Sequence, residues 1–120
     1  MNFLKYYLLE NEINGLSDIV IEWWKNYNPF EDEGLYLSDI KEIYLIGSRA
    51  KGTHHDSSDY DVGIVFPSEL KDEYDAIKLS EILHQKYGNT LPLFNENDVD
   101  LQIFFDDDDE FKKYKKLKLK

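Results

Sequence analysis

The sequence predicts a single mixed α/β domain (α+β), in which a mixed β-sheet is flanked by helices. Apolar residues at helical spacing dominate the first part of the chain, short apolar runs typical of strands fill the middle, and an amphipathic helical segment separates two of those runs. The 120 residues, 42% of them hydrophobic, suffice for one packed domain. We expect that domain to span 1–120, with N-terminal helices and a loop in 1–40, a core in 41–105 and a charged helix or tail in 106–120.

Two helices are expected before residue 28. The first would carry apolar residues at helical spacing and end at Asn11, Asn14 and Gly15. Ser17 would cap the second, whose apolar stripe consists of Ile19, Val20, Trp23, Trp24 and Tyr27. We interpret the two tryptophans as core residues that pack against the sheet, in preference to a ligand or partner surface.

Three segments have the patterns of strands. Residues 43–46 form a continuous apolar run that ends at Gly47, and residues 60–66 form a second run that stops at Pro67. Residues 98–103 alternate between polar and apolar side chains, as a half-buried strand does. We therefore expect three central strands.

A third helix is expected between the last two strands, and a fourth at the end of the chain. Ser68 would cap the third helix, and Gly88 would end it, with Leu70, Tyr74, Ile77, Leu83 and Tyr87 on one face. In 106–120, five acidic residues precede six lysines. This order complements a helix macrodipole, so we favour a terminal helix over a docking tail.

Charge and composition exclude several classes of protein. The formal net charge is −11, and the first 110 residues hold all 25 acidic residues, which disfavours a module that grips DNA or RNA directly. The absence of cysteine excludes disulfides and thiolate metal sites, and the three histidines are too dispersed for an imidazole site. The sequence shows no secretory signal or membrane-spanning segment, so we expect a cytoplasmic protein with no membrane partner.

Candidate functional residues lie between Gly47 and Asp61. Gly47 and Ser48 directly follow a predicted strand, where the missing side chain and free N–H groups let the backbone approach a phosphate and Ser48 adds a hydroxyl. Asp59 and Asp61 are two residues apart, so on an extended strand both carboxylates point to the same side. The segment therefore combines a candidate phosphate site with a pair of carboxylates.

Paired carboxylates predict a metal site, because they repel each other unless a cation lies between them. Oxygen ligands favour Mg²⁺ or Mn²⁺. Asp100, on another predicted strand, would complete the site, and Asp98 on the same strand face is the weaker candidate. Arg49 is the candidate basic ligand for a nucleotide, although a solvated helix position fits it equally well. A phosphate site beside a carboxylate metal site is typical of metal-assisted phosphoryl or nucleotidyl transfer.

The same residues resemble a known family. Gly47-Ser48-Arg49-Ala50-Lys51-Gly52, followed by Ser58-Asp59-Tyr60-Asp61, is similar to the signature of the nucleotidyltransferase superfamily that includes DNA polymerase beta. Val99-Asp100-Leu101 fits the later strand aspartate of that superfamily, and the resemblance covers about 43–105. The compact form it suggests is the minimal nucleotidyltransferase, often the antitoxin of a HEPN-domain ribonuclease toxin.

The resemblance implies a role for each site residue. Gly47 and Ser48, with Arg49 beside them, would hold the triphosphate. Asp59 and Asp61 would bind both metal ions, Mg²⁺ or Mn²⁺. Asp100 would assist one metal and act as, or near, the general base. ATP would be the nucleotide substrate, and a HEPN-type toxin would be the partner protein.

Three functions remain open from the sequence. The preferred one transfers a nucleoside monophosphate, AMP from ATP, to a hydroxyl of a partner protein. The first alternative is a small-molecule nucleotidyltransferase similar to the aminoglycoside-modifying enzymes, which would complete its site as a homo-oligomer. The second is an antitoxin that acts by binding alone; three mutually repelling aspartates speak against it, since binding does not require them.

Overall fold

A computed structural model describes the backbone of residues 3–114 and 116–120 and the side chains of 11–114 and 116–120. The chain runs through four α-helices, five strands and four short 3₁₀ turns over these residues. The helices are α1 (Phe3–Tyr27), α2 (Gly47–Lys51), α3 (Ala76–Tyr87) and α4 (Asp109–Lys113). The strands are β1 (Glu42–Ile46), β2 (Tyr60–Phe66), β3 (Leu93–Phe94), β4 (Asn97–Phe105) and β5 (Leu117–Lys118).

The N-terminal segment is one helix of 25 residues, so the predicted break and the cap at Ser17 are wrong. Gly15 allows close packing here: a Cβ at this position would lie 3.0 Å from the ring of Phe94. Ser17 is buried inside the helix, and Trp23 and Trp24 are buried as predicted. Tyr27 is 44% exposed, and the side chains of the predicted first helix at 3–8 lie outside the described residues.

The five strands form one mixed sheet in the order β3-β4-β2-β1-β5. β2 pairs parallel with β4 through the α3 crossover, whereas β1 pairs antiparallel with β2 and β5. The three predicted strands are confirmed, and β3 and β5 are additional. The mixed sheet flanked by helices confirms the predicted fold class.

The two faces of the sheet differ in how they are covered. The main hydrophobic core lies on one face, where α1 and α3 cover the alternate residues Val62, Ile64 and Phe66 of β2. Trp23 connects α1 to the segment after α3 by donating from Nε1 to Thr90 O at 2.8 Å. The opposite face carries a smaller cluster around Phe111, described below, and leaves Asp61 next to an open surface.

The third helix begins later than predicted. Residues Ser68–Asp72 form a separate 3₁₀ turn, and α3 starts at Ala76 after Asp75, whose side chain accepts a hydrogen bond from the Ile77 N–H. Asp75 rather than Ser68 is therefore the N-cap. Ile77 is 71% exposed, so it does not belong to the buried face on which we placed it.

The C-terminal segment contains a shorter helix than predicted. α4 spans only Asp109–Lys113, and Phe111 packs with Ile46, Val65 and Phe104 in the smaller cluster. The chain then extends into β5, which pairs with β1 and places Lys118 Nζ 3.0 Å from Glu42 Oε2. The residues expected to form the last turns of the helix instead form β5, which pairs with β1.

In the parts of the chain that the structure describes, no helix has both the length and the apolar character needed to cross a membrane.

Candidate active site

Three predicted site residues lie at the start of neighbouring parallel strands. The register of β2 and β4 pairs Asp61 with Asp100, and Asp59 directly precedes β2. Adjacent strands lie about 4.8 Å apart, and paired residues of parallel strands face the same side. The fold therefore brings Asp59, Asp61 and Asp100 together from segments about 40 residues apart in sequence.

The electrostatics of this group centre on Asp61. Burial raises the pKa of its carboxyl, and the negative charges of Asp100 and Asp59 raise it further. Among the described residues, neither Asp59 nor Asp61 forms a salt bridge. Ionised Asp61 is consequently destabilised unless a cation approaches it.

Gly47 is in contact with the carboxylate of Asp61. A Cβ at position 47 would lie 2.5 Å from Asp61 Oδ2 and 3.3 Å from its Cγ, and the glycine has φ +73°. Both the close approach and the left-handed backbone require glycine here. The two predicted motifs are thus one site, in which Gly47 and Ser48 begin α2 beside the aspartates.

Arg49 is hydrogen-bonded to the loop that leads into β2. Its Nη2 donates to Ser58 O at 2.9 Å and to Asp56 O at 3.2 Å, and its Nε donates to Ser58 O at 3.1 Å. The guanidinium also stacks on the ring of Tyr60, 3.8 Å from the centroid. These contacts position the residues on both sides of Asp59, so the observed geometry gives Arg49 a supporting role rather than a free group for a phosphate.

Asp100 has two side-chain neighbours. His84 Nε2 on α3 lies 3.1 Å from Asp100 Oδ1, and Gln102 Nε2 lies 3.4 Å from Oδ2. From the sequence, His84 counts only as one of three dispersed histidines, and no contact with Asp100 is predicted. No local pattern predicts this contact, because it depends on how the α3 crossover packs beside β4.

Asp98 borders the same cavity as Asp59 and Asp100. This cavity of about 530 Å³ is lined by Asp59, Asp98 and Asp100 together with residues of the segment before β4. Asp98 is exposed and lies opposite Leu93 in the β3 pairing. It is therefore placed at the rim, further along β4 from Asp61.

The donor set fits a hard divalent cation by its chemistry, because three carboxylates lie on neighbouring strands and Asp61 lacks a neutralising partner. Within residues 11–114 and 116–120, however, no three ligating side chains have already converged into a coordination shell. Asp100 is directed to His84 and Gln102 instead. To bind the ion, the three aspartate side chains would have to rotate while the strands keep their positions.

Comparison with known proteins agrees with this geometry. Residues 35–93 match the family described as "Polymerase beta, Nucleotidyltransferase". This segment, just under half of the chain, is therefore similar to nucleotidyltransferases of the polymerase beta family. The match includes Gly47, Ser48, Asp59 and Asp61, whereas Asp100 lies beyond it.

Two solved structures resemble most of this chain. A "putative nucleotidyltransferase" from Sulfolobus solfataricus has 18% identity and a TM-score of 0.52, over 90% of this chain and 82% of that one. A toxin-antitoxin structure with AMP-PNP has 16% identity and a TM-score of 0.44, over 87% of this chain and 72% of that one. No curated protein matches the sequence. Identities this low show a shared fold only, and the TM-score of 0.52 for the Sulfolobus solfataricus structure supports that shared fold.

Proposed function

We propose that this chain is a metal-dependent nucleotidyltransferase that moves AMP from ATP to a hydroxyl group of a partner protein. The observation that carries the proposal is the placement of Asp59, Asp61 and Asp100 on neighbouring strands, with Asp61 against Gly47, in a chain whose residues 35–93 match the polymerase beta nucleotidyltransferase family. Strand pairing does not require three clustered carboxylates, and neither does the end of a strand. Nucleotidyl transfer does use such a group.

The three aspartates would hold Mg²⁺ or Mn²⁺. When bound, the cation would neutralise their mutual repulsion and stabilise negative charge on the triphosphate. Asp61 is the central ligand of this arrangement because it contacts Gly47 and pairs with Asp100. Because the pKa of Asp61 is raised by burial and by Asp100 and Asp59, an approaching cation would stabilise its ionised form.

The triphosphate would lie at the start of α2. There Gly47 lets the chain approach the nucleotide closely, and the Ser48 hydroxyl offers a donor. Arg49 would act indirectly, since its guanidinium holds the carbonyl groups of Ser58 and Asp56. A phosphate could recruit it only at the expense of those hydrogen bonds.

The transfer itself would be a displacement at the α-phosphorus. The acceptor oxygen forms a new bond to that phosphorus while the bond to the β-phosphate oxygen breaks and pyrophosphate leaves. Asp100, whose two oxygens contact His84 and Gln102, would accept the proton from the acceptor hydroxyl. The product is an acceptor that carries one AMP by a phosphodiester bond.

A protein acceptor is supported by the openness of the site. The cavity next to Asp59 and Asp100 is bordered by surface residues, and the described residues place no further layer over it. The sequence resemblance suggests that the partner is a HEPN-type toxin and that the chain is its antitoxin. The acidic surface, with a net charge of −11, does not suit a nucleic acid acceptor.

Intact-mass spectrometry of the co-purified partner tests the proposal. With ATP and Mg²⁺, we expect the partner to gain AMP, and with chelator we expect no change. Asp59→Asn should abolish the gain, whereas Asp98→Asn, a matched change at the cavity rim, should retain most of it. An unchanged mass in a tight complex would favour an antitoxin that acts by binding alone. AMP transfer to small cationic molecules but not to the partner would favour the aminoglycoside-type alternative.

A further inference from the structure

His84 contacts Asp100 although the helix that carries it packs on the other face of the sheet. α3 belongs to the main core through Leu79 and Leu83. Leu101 of β4 is part of the same core, and successive side chains of a strand point to opposite faces, so Asp100 points to the other face. His84 Nε2 is nevertheless 3.1 Å from Asp100 Oδ1. The imidazole therefore reaches across from one face of the sheet to the other.

This contact passes around the outer edge of β4. The inner edge of the strand is paired with β2 on both sides of Asp100, whereas β3 pairs with β4 no further than Asp98. A surface groove lined by His84, Ile103 and Phe104 follows the outer edge. It continues from one face to the other, because Ile103 belongs to the main core and Phe104 to the smaller cluster. His84 thus approaches Asp100 from the outer side of the sheet.

Asp100 consequently lies between His84 and Asp61. The register places Asp61 beside Asp100 on β2, which is the inner side. Asp100 Oδ1 faces His84, and Oδ2 has only a longer and weaker contact, at 3.4 Å from Gln102 Nε2. The contact with His84 therefore directs one carboxylate oxygen to the outer edge, away from the other aspartates of the candidate site.

A divalent cation would require the same carboxylate. Such an ion is attracted to the place where the charges of Asp59, Asp61 and Asp100 add. To complete its ligand set, Asp100 has to turn towards Asp61, which disrupts the contact with His84. The side chains of His84 and Asp100 are 45% and 36% exposed, so water screens their interaction and an ion can displace the imidazole.

We propose that His84 is a positioning residue that competes with the metal ion for Asp100. In the ion-free protein the imidazole holds Oδ1 at the outer edge of β4, and ion binding releases it. The free energy of the lost contact is subtracted from that of ion binding, so His84 raises the ion concentration at which the site fills. This inference rests on the proposed function for the presence of the ion, but it concerns binding and requires neither ATP nor an acceptor.

Binding of Mn²⁺, followed by electron paramagnetic resonance at fixed pH and without nucleotide, tests the competition. His84→Ala removes the competing group, and we expect it to bind Mn²⁺ about three- to tenfold more tightly than the unmodified protein. His84→Gln retains a side-chain N–H donor and should show a smaller gain. The matched control is Gln85→Ala, which changes the exposed neighbour of His84 on α3 and should alter the affinity less than about twofold. Equal melting of the three variants in chelator would show that folding does not account for the difference.

NMR of the His84 ring observes the release itself. Titration with Mg²⁺, which is diamagnetic, should shift the ring resonances of His84 as Asp100 leaves it. In Asp100→Asn the same resonances should no longer respond to Mg²⁺ in this way, because the carboxylate for which the ion and the imidazole compete is absent. Asp98→Asn, a matched change on the same strand face, should retain the response.

The outcomes separate this inference from the proposed function. Weaker Mn²⁺ binding by His84→Ala would show that the imidazole supports Asp100 as a ligand, and unchanged binding would show that it does not compete; either result overturns the inference. Ring resonances of His84 that ignore Mg²⁺ while the ion binds would also overturn it. If His84→Ala binds Mn²⁺ more tightly but no partner ever gains AMP, the inference stands and the proposed function fails. If the partner gains AMP while His84→Ala leaves the affinity unchanged, the reverse holds. A failure of every variant to bind a divalent cation would overturn both.

Discussion

Replacing Gly47 with alanine tests the contact that joins the two halves of the candidate site. Two costs are expected. The left-handed backbone, at φ +73°, disfavours alanine by about 1 to 2 kcal/mol. The new Cβ would also lie 2.5 Å from Asp61 Oδ2, so the carboxylate or the start of α2 must move, which costs about 1 to 3 kcal/mol more. We expect the free energy of unfolding to fall by about 2 to 5 kcal/mol.

Gly52 provides the matched control at the other end of α2. Its φ is +77°, but a Cβ there would have no neighbour within 4 Å. Gly52→Ala should therefore show only the backbone cost. For a domain of this size we expect Gly47→Ala to melt about 4 to 12 °C below Gly52→Ala, measured by circular dichroism in metal-free buffer.

A double-mutant cycle assigns the extra cost to Asp61. In an Asp61→Ala background the oxygen that meets the new Cβ is absent, and the nearest remaining atom of that side chain is its Cβ, at 3.3 Å. The excess cost of Gly47→Ala should then fall below about 1 kcal/mol. Equal melting of Gly47→Ala and Gly52→Ala, or an excess cost that persists without the Asp61 carboxylate, would refute the contact as described.

Two further predictions concern charge in and around the site. Because the folded-state pKa of Asp61 is raised, its ionisation destabilises the fold as the pH rises through that pKa, so Asp61→Asn in chelator should match or exceed the melting temperature of the unmodified protein at pH 7. That difference should vanish below about pH 3.8, and a clearly lower melting temperature at pH 7 would contradict it. Arg49→Lys removes the forked contact with loop carbonyls and should lower the urea-derived free energy of unfolding by about 1 to 3 kcal/mol, against at most about 0.5 for exposed Lys51→Ala. Similar losses in these two variants would show that the loop does not depend on the guanidinium.

The strands could be predicted because their patterns are local. Runs of apolar and alternating residues gave the three central strands, and the burial of Trp23 and Trp24 followed from their size and spacing. The break at Gly15 was wrong because local helix propensity competes with tertiary packing, and here the ring of Phe94 occupies the space that the glycine leaves. Similarly, the pairing of β5 with β1 depends on an edge that the local sequence does not reveal.

For the candidate site too, the residues could be predicted from the sequence, but their arrangement in space could not. The aspartates and Gly47 could be selected from residue type and spacing, since carboxylates two apart share a strand face. Their meeting depends on the register that pairs Asp61 with Asp100. The contacts of Arg49 with loop carbonyls and of His84 with Asp100 depend on loop closure and on the crossover helix. Neither leaves a periodic signal in the sequence.

The uneven covering of the sheet sets a hierarchy of local stability. α4 is held mainly by the small cluster around Phe111, and β5 by two residue pairs with β1 and by Leu117 against the main core, whereas β2 is buried from both faces. Segments with few buried apolar contacts open at a lower free energy than the global unfolding transition. The segment that bears Asp109 and Glu110 is therefore expected to open at a lower free energy than the central strands. The strands that carry the aspartates remain folded meanwhile, so adaptation next to the site does not require melting of its scaffold.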